Sequence, residues 1–139
     1  MIDTKIVTFN NEYSPKIIHI RTRVFVKEQG VDASIDFDGL DEKAVHVLVL
    51  SNNKAIGTAR ILEDGHIGRV AVLKEHRKKG AGYAAISALI ETAKQKGLKR
   101  VYLGSQIHAS KFYKNMGFKT CGEEFMDAGI KHIEMEYYL

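Results

Sequence analysis

Three apolar runs follow one another between His46 and Leu73, with little more than turn residues between them. His46–Leu50 ends at SNNK (51–54), AIGTARIL (55–62) follows, and EDG separates it from HIGRVAVL (66–73). Gaps this short allow hairpins but leave no room for a crossover. The stretch is therefore predicted to form three consecutive antiparallel strands. The period then changes. From Gly82 to Lys96 the apolar residues Ala85, Ile86, Leu89, Ile90 and Ala93 recur at helical spacing, and Gly97 is a suitable terminator. RVYLGS (100–105) reads as a strand again. The strands at 66–73 and 100–105 thus flank a helix and are expected to be parallel neighbours with a right-handed crossover.

The flanks complete the pattern. KIVTFN (5–10) is expected to open the chain as a short strand. Ser14 and Pro15 offer an N-cap and a first helical proline, and Ile17, Ile20, Val24 and Phe25 share one face of a helix running to Gln29. Gly30 ends it, and DASIDFDGLDEKA (32–44) reads as a long acidic loop. A short helix over Ala109–Met116 stops at Gly117, and strands near Thr120–Phe125 and Lys131–Tyr138 close the chain. The order predicts an α/β fold of the α+β type, a mixed sheet with helices packed on it.

With 139 residues and 45% hydrophobic content, residues 1–139 are expected to form a single domain. The lone cysteine, Cys121, permits no internal disulfide, which suits a reducing compartment. No basic segment followed by an apolar run begins the chain, and no stretch approaches bilayer length, so a cytoplasmic protein without membrane contact is expected. There is no CxxC, no HExxH and no Asp-rich loop with calcium-ligand spacing, so no metal is expected. The net charge of +4 fits an anionic small ligand, RNA or simple solubility.

EHRKKGAGYA (75–84) is unusual for a helix start. The first turn of a helix exposes four unpaired N–H groups and about half a positive charge. Acids and Ser, Thr, Asp or Asn caps normally compensate. Here Arg77, Lys78 and Lys79 stand there instead, each unfavourable by about 0.3–1 kcal/mol, and no capping residue is present. A bound anion would satisfy both the donors and the charge. Gly80 and Gly82 would let its oxygens approach the backbone. The alternative is a solvated basic turn shaped by its glycines. GAGYAA formally matches GxGxxG/A, but Lys74 to Lys79 intervene between the strand and the first glycine. No Asp or Glu lies between Thr92 and Gly122 to hold a ribose, and GxxxxGK[ST] is absent.

RVAVLKEHRKKGAGYA resembles the acetyl-CoA signature of the GNAT superfamily of N-acetyltransferases, a V-A-V strand, a short loop and [QR]-x-x-G-x-[GA] opening a helix. ASKFYKNMGF (109–118) resembles that family's second signature, and the element order matches along nearly the whole chain. FVKEQG (25–30) and AGIKHIEM (128–135) are similar to a branch of small bacterial single-domain members. The resemblance implies a central sheet of about six to seven strands, splayed between the fourth and fifth, with helices on both faces. It implies acetyl-CoA as cosubstrate, its pantetheine arm along Val70, Ala71 and Val72. Its diphosphate would lie on Arg77, Lys78, Lys79, Gly80, Ala81, Gly82 and Tyr83. Gln106 stands where many relatives carry Asn, keeping the amide for a pantetheine contact.

Acyl transfer from a thioester to an amine needs a base, a donor for the acyl oxygen and a proton for the departing thiolate. The resemblance places Tyr113 as the acid and the Val72 N–H as the oxygen donor. Glu28, at the end of the first helix, is the candidate base, with a plain surface acid as the other reading. His46, Arg60, His108 and His132 are further candidates for the acceptor side, or else structural residues. Arg60 would meet an anionic acceptor or sit in an ion pair. Nothing places a base beside Cys121, so direct transfer in a ternary complex is expected rather than an acyl-enzyme. Asp32, Asp36, Asp38, Asp41 and Glu42 could favour a cationic amine, and an aminosugar phosphate is possible. A CoA-loaded sensor without catalysis is the competing reading. A nucleic-acid binder is ranked low, because only Tyr83 accompanies the bases. Monomer and homodimer remain open.

Overall fold

The structure, a computed structural model, covers residues 1–139. β1 spans Ile2–Val7, and α1 spans Ser14–Arg21 and runs on as a π-helix over Thr22–Glu28. A one-turn α2 (Ala33–Asp36) follows, then β2 (Val45–Ser51), β3 (Lys54–Ile61) and β4 (Ile67–Val72). α3 (Ala81–Gln95), β5 (Arg100–Gln106), α4 (Ser110–Asn115), β6 (Lys119–Asp127) and β7 (Ile130–Tyr138) complete the order.

The strands form two antiparallel sheets, β1-β2-β3-β4 and β5-β7-β6. They meet at a single parallel bridge between His66 and Tyr102, where the Tyr102 N–H donates to the Gly65 carbonyl at 3.1 Å. Gly65 has φ +94°, and a Cβ there would lie 2.5 Å from the Arg100 carbonyl oxygen. Only glycine allows this approach. Beyond it β4 and β5 pair no further. The mixed seven-strand arrangement, parallel only between the fourth and fifth strands and open there, agrees with the expectation from sequence.

Helices cover both faces of the first sheet. The apolar stripe of α3 (Ala85, Ile86, Leu89, Ile90, Ala93) packs with Val47, Val49, Ile61 and Ile67. On the other face Ile17, Ile20 and Val24 pack with Val7, Leu48, Ala71 and Leu73. β4 bulges at Arg69, whose φ is +52°, so Val70 and Val72 face the α3 side while Ala71 faces α1.

Three expectations need correction. The first strand is Ile2–Val7 rather than 5–10, because the Asn10 side chain accepts the N–H groups of Glu12 and Tyr13 and folds the chain into a turn. Ser14 lies inside α1 and does not cap it; Tyr13 holds the cap position without a side-chain bond.

The stretch 32–44 is not an open loop. Asp32 caps α2 through the Ser34 N–H, and a 3₁₀ turn forms at Asp41–Lys43. The segment is fastened to the body by a buried ionic cluster. Arg21, with no exposure, donates to Asp36 at 3.2 Å and Asp41 at 2.6 Å and lies over the Phe37 ring. Arg60 donates to Asp38 and Asp41, and Arg69 pairs with Asp36 and Asp38. The acids expected to draw in a cation are thus largely spent on these arginines.

Candidate functional site

The divergence of β4 from β5 leaves a cleft of about 1090 Å³. Val70, Val72, Arg77, Lys78, Gly80, Ala81, Gly82, Tyr83, Gln106, Tyr113 and Glu28 all line it. Ala71 and Lys79 do not: Ala71 is buried on the α1 face, and Lys79 points into solvent.

One wall is the start of α3. None of the N–H groups from Lys78 through Tyr83 donates to a protein acceptor; the first bonded one is that of Ala84, to the Gly80 carbonyl. Gly80 occupies the cap position at φ +90° with no side-chain cap, and Lys78 also has positive φ, +64°. These left-handed turns face successive N–H groups into one concavity, a shape suited to anions.

The open edge of β4 is the second wall. The Leu73 N–H donates to Ile56 of β3 at 2.9 Å, which makes Val72 and Gly57 a non-hydrogen-bonded pair. The N–H and carbonyl of Val72 therefore turn to the cleft. The carbonyl is taken by Arg77 Nε at 2.9 Å, leaving the N–H open.

Arg77 and Glu28 occupy each other. The guanidinium donates twice to the carboxylate, at 2.6 and 2.7 Å. The Arg77 bond is the main reason the Glu28 carboxyl sits below the usual carboxylate range, and a carboxylate held there is a poor base. Arg77 lines the cleft with its guanidinium turned to Val72 and Glu28, while Lys78 carries no ion pair. Gln106 donates to the Gln29 side chain at 3.0 Å and ties β5 to the end of the π-helix.

Tyr113 is 8% exposed, between Phe112 and Phe118 in edge-to-face contacts. Its hydroxyl makes no protein hydrogen bond, and no buried side-chain polar atom is left unpartnered, so that hydroxyl reaches the cleft. Burial pushes its pKa up to about 12, which keeps it protonated at neutral pH.

The front of the cleft was less legible. His66 opens HIGRVAVL at the sheet joint and stacks on Tyr102 at 4.8 Å, 6° from coplanar. Its ring makes no protein hydrogen bond, and burial lowers its pKa, so the imidazole is neutral at pH 7. The signal that could have exposed it is a titratable residue at the first position of the strand bordering the splay. Of the other candidates, His46 is buried against the Asp41 carbonyl and Arg60 is held by Asp38 and Asp41, and neither lines the cleft. His108 and His132 do line the cleft; His132 bonds the Ile130 carbonyl at 2.7 Å. Cys121 lies outside it, beside Glu134 and Arg100, with its thiol pKa raised by burial.

A family model for the acetyltransferase (GNAT) domain matches residues 10–139, and the chain belongs to that family. It is 36% identical over 134 residues to the uncharacterized N-acetyltransferase YjcF of Bacillus subtilis, covering 94% of this chain and 96% of that one. The crystal structure of Escherichia coli ElaA superposes at TM-score 0.86 with 31% identity, over 98% of this chain and 99% of that one. An acyl-CoA N-acyltransferase from Pseudomonas aeruginosa superposes at 0.85 with 26% identity, over 98% and 99%. Acetyl transfer from acetyl-CoA is the activity of the family, and the chain carries its N-acetyltransferase domain.

Proposed function

We propose that residues 1–139 form one acetyl-CoA-dependent N-acetyltransferase domain that acetylates a primary amine of a small molecule by direct transfer. The observation that carries this is the run of unbonded N–H groups from Lys78 to Tyr83, opening into the same cleft as the free edge of β4. That pairing fits a diphosphate joined to an amide-bearing arm: N–H donors and positive dipole for the first, strand-like backbone groups for the second. Bound acetyl-CoA would supply the activated acyl group and a thiolate leaving group.

The residues divide the remaining tasks. Lys78 and Lys79 add charge at the diphosphate, Lys79 from the rim. The outward groups of Val70 and Val72 take the arm, with the Gln106 amide beside them. The open N–H of Val72 stabilises charge growing on the acyl oxygen. Tyr113 holds a proton at its hydroxyl for the departing sulfur. The burial that weakens this acid raises the basicity of a thiolate in the same place. His66, neutral and free of protein partners, takes the proton that the ammonium must lose, in place of Glu28. The sequence placed no base beside Cys121, but the structure sets the Glu134 carboxylate 3.4 Å from its thiol. The thiol lies outside the cleft with its pKa raised by burial, which disfavours an acyl-enzyme route.

An amine panel assayed for release of CoA thiol tests this. Tyr113→Phe should lower kcat by about 10²-fold or more while leaving the calorimetric affinity for acetyl-CoA unchanged. Acetyl-CoA binding without thiol release from any amine would favour the sensor reading instead.

A further inference from the structure

Four acids line the cleft, and they are not equivalent. Glu28 is held by Arg77, and Asp36 by Arg21 and Arg69. Glu134 and Asp127 meet no arginine or lysine. Glu134 is half-buried on β7, directly opposite Gly104 of β5. Its one side-chain partner is the Cys121 thiol, at 3.4 Å.

Aromatic rings stand on both sides of this carboxylate. Tyr102, two residues before Gly104 and on the same face, carries the stacked His66 ring. On the other side Phe125 stacks on His132 with centroids 5.6 Å apart. Phe125 also lies across Gly104, where an added Cβ would come within 2.9 Å of its Cζ. Glycine thus keeps the floor bare and lets the ring lie down. The Glu134 charge reaches both His66 and Tyr102. Ile35 and Ile130 supply apolar surface nearby.

The Tyr102 ring is covered by His66 and Arg100, whereas the Phe125 ring is exposed. A carboxylate beside such a ring suits an ammonium, which gains a charge-assisted bond and a cation–π contact together. An anionic group finds no spare cation on this side. Arg69 is paired with Asp36 and Asp38, Arg100 lies over the Tyr102 ring but is bonded to Glu136 at 2.6 Å, and Lys78 belongs to the α3 wall.

We propose that this trough is the acceptor subsite, taking a primary ammonium on a short apolar or aromatic body without carboxylate or phosphate, with Glu134 as counter-ion and Phe125 and Tyr102 as walls. The proposal rests on the acyl-transfer reading for its consequence but not for its binding chemistry. It speaks against an aminosugar phosphate as acceptor.

The test uses 2-phenylethylamine, L-phenylalanine and glucosamine 6-phosphate. Each is assayed for CoA thiol release with acetyl-CoA and for direct binding by ligand-observed NMR. 2-Phenylethylamine should bind at least about tenfold more tightly than either amine that carries a carboxylate or phosphate. Glu134→Gln should weaken it by about ten- to hundredfold while acetyl-CoA affinity is kept. Phe125→Leu, which spares the carboxylate, should weaken it several-fold. Preference for an amine carrying a carboxylate or phosphate, no binding of 2-phenylethylamine, or an unchanged affinity in Glu134→Gln overturns the proposal. Amine binding with no heat from acetyl-CoA would instead overturn the acyl-transfer reading and leave the subsite standing.

Discussion

Asp41→Asn is the substitution whose cost is best fixed by the structure. Asp41 Oδ1 accepts from Arg21 at 2.6 Å and from Arg60 at 2.9 Å, and its carbonyl oxygen bonds His46. The cluster holds three arginines against three aspartates, Asp36, Asp38 and Asp41. His46 is neutral there, its pKa lowered first by burial. Asparagine keeps the shape but leaves one positive charge uncompensated around a fully buried Arg21. Removing one partner of a buried pair costs about 3–5 kcal/mol. Each arginine retains a second aspartate, so the lower end applies, about 3 kcal/mol. At this chain length that amounts to roughly 10 °C in Tm, readable by calorimetry and by urea unfolding at unchanged m-value. The same segment carries Ile35 on the cleft wall, so the KM for the amine should rise while acetyl-CoA affinity holds. A loss below about 1 kcal/mol, the scale of an exposed pair, would refute the reasoning.

Two further outcomes follow from the charged groups. His46 and His66 both have pKa values lowered, chiefly by burial. Below about pH 6.5 the unfolded chain binds protons that these folded imidazoles resist, so stability should fall as pH drops from there. A urea midpoint that stays flat or rises between pH 7 and pH 5.5 would contradict this. Glu28→Gln removes the Arg77 partner at a half-exposed site, where both side chains are 35% accessible. It should cost no more than about 1 kcal/mol and leave the acidic limb of the pH–rate profile in place, whereas His66→Gln should remove that limb. Loss of the limb in Glu28→Gln would restore Glu28 as the base.

Local signals carried most of the fold. The hairpins between β2, β3 and β4 are written in turn residues, and α3 in its 3.6-residue stripe. The uncapped start of α3 was readable because a missing cap is itself local. What sequence could not show are pairings between distant residues. Arg21 meets acids 15 and 20 positions away, Arg69 meets Asp38 at 31, and Glu28 meets Arg77 at 49. No periodicity reports such partners, so the acidic stretch 32–44 read as a loop and Glu28 as a free acid. The π-helical continuation of α1 was equally hidden, since its apolar face differs little from that of an ordinary helix. Phe125 stood in no motif, and Glu134 stood inside AGIKHIEM without any role being assigned to it; their placement depends on β5, β6 and β7 coming into register around Gly104.

The central claim is that the backbone N–H groups from Lys78 to Tyr83 grip a diphosphate. Amide NMR on the ¹⁵N-labelled protein, titrated with CoA, observes those groups themselves. The account requires the largest shifts at Lys78–Tyr83, accompanied by Val70 and Val72, with much weaker shifts for S-acetylpantetheine, which lacks the diphosphate. Saturable binding of CoA that leaves the amides of residues 78–83 where they were would contradict it.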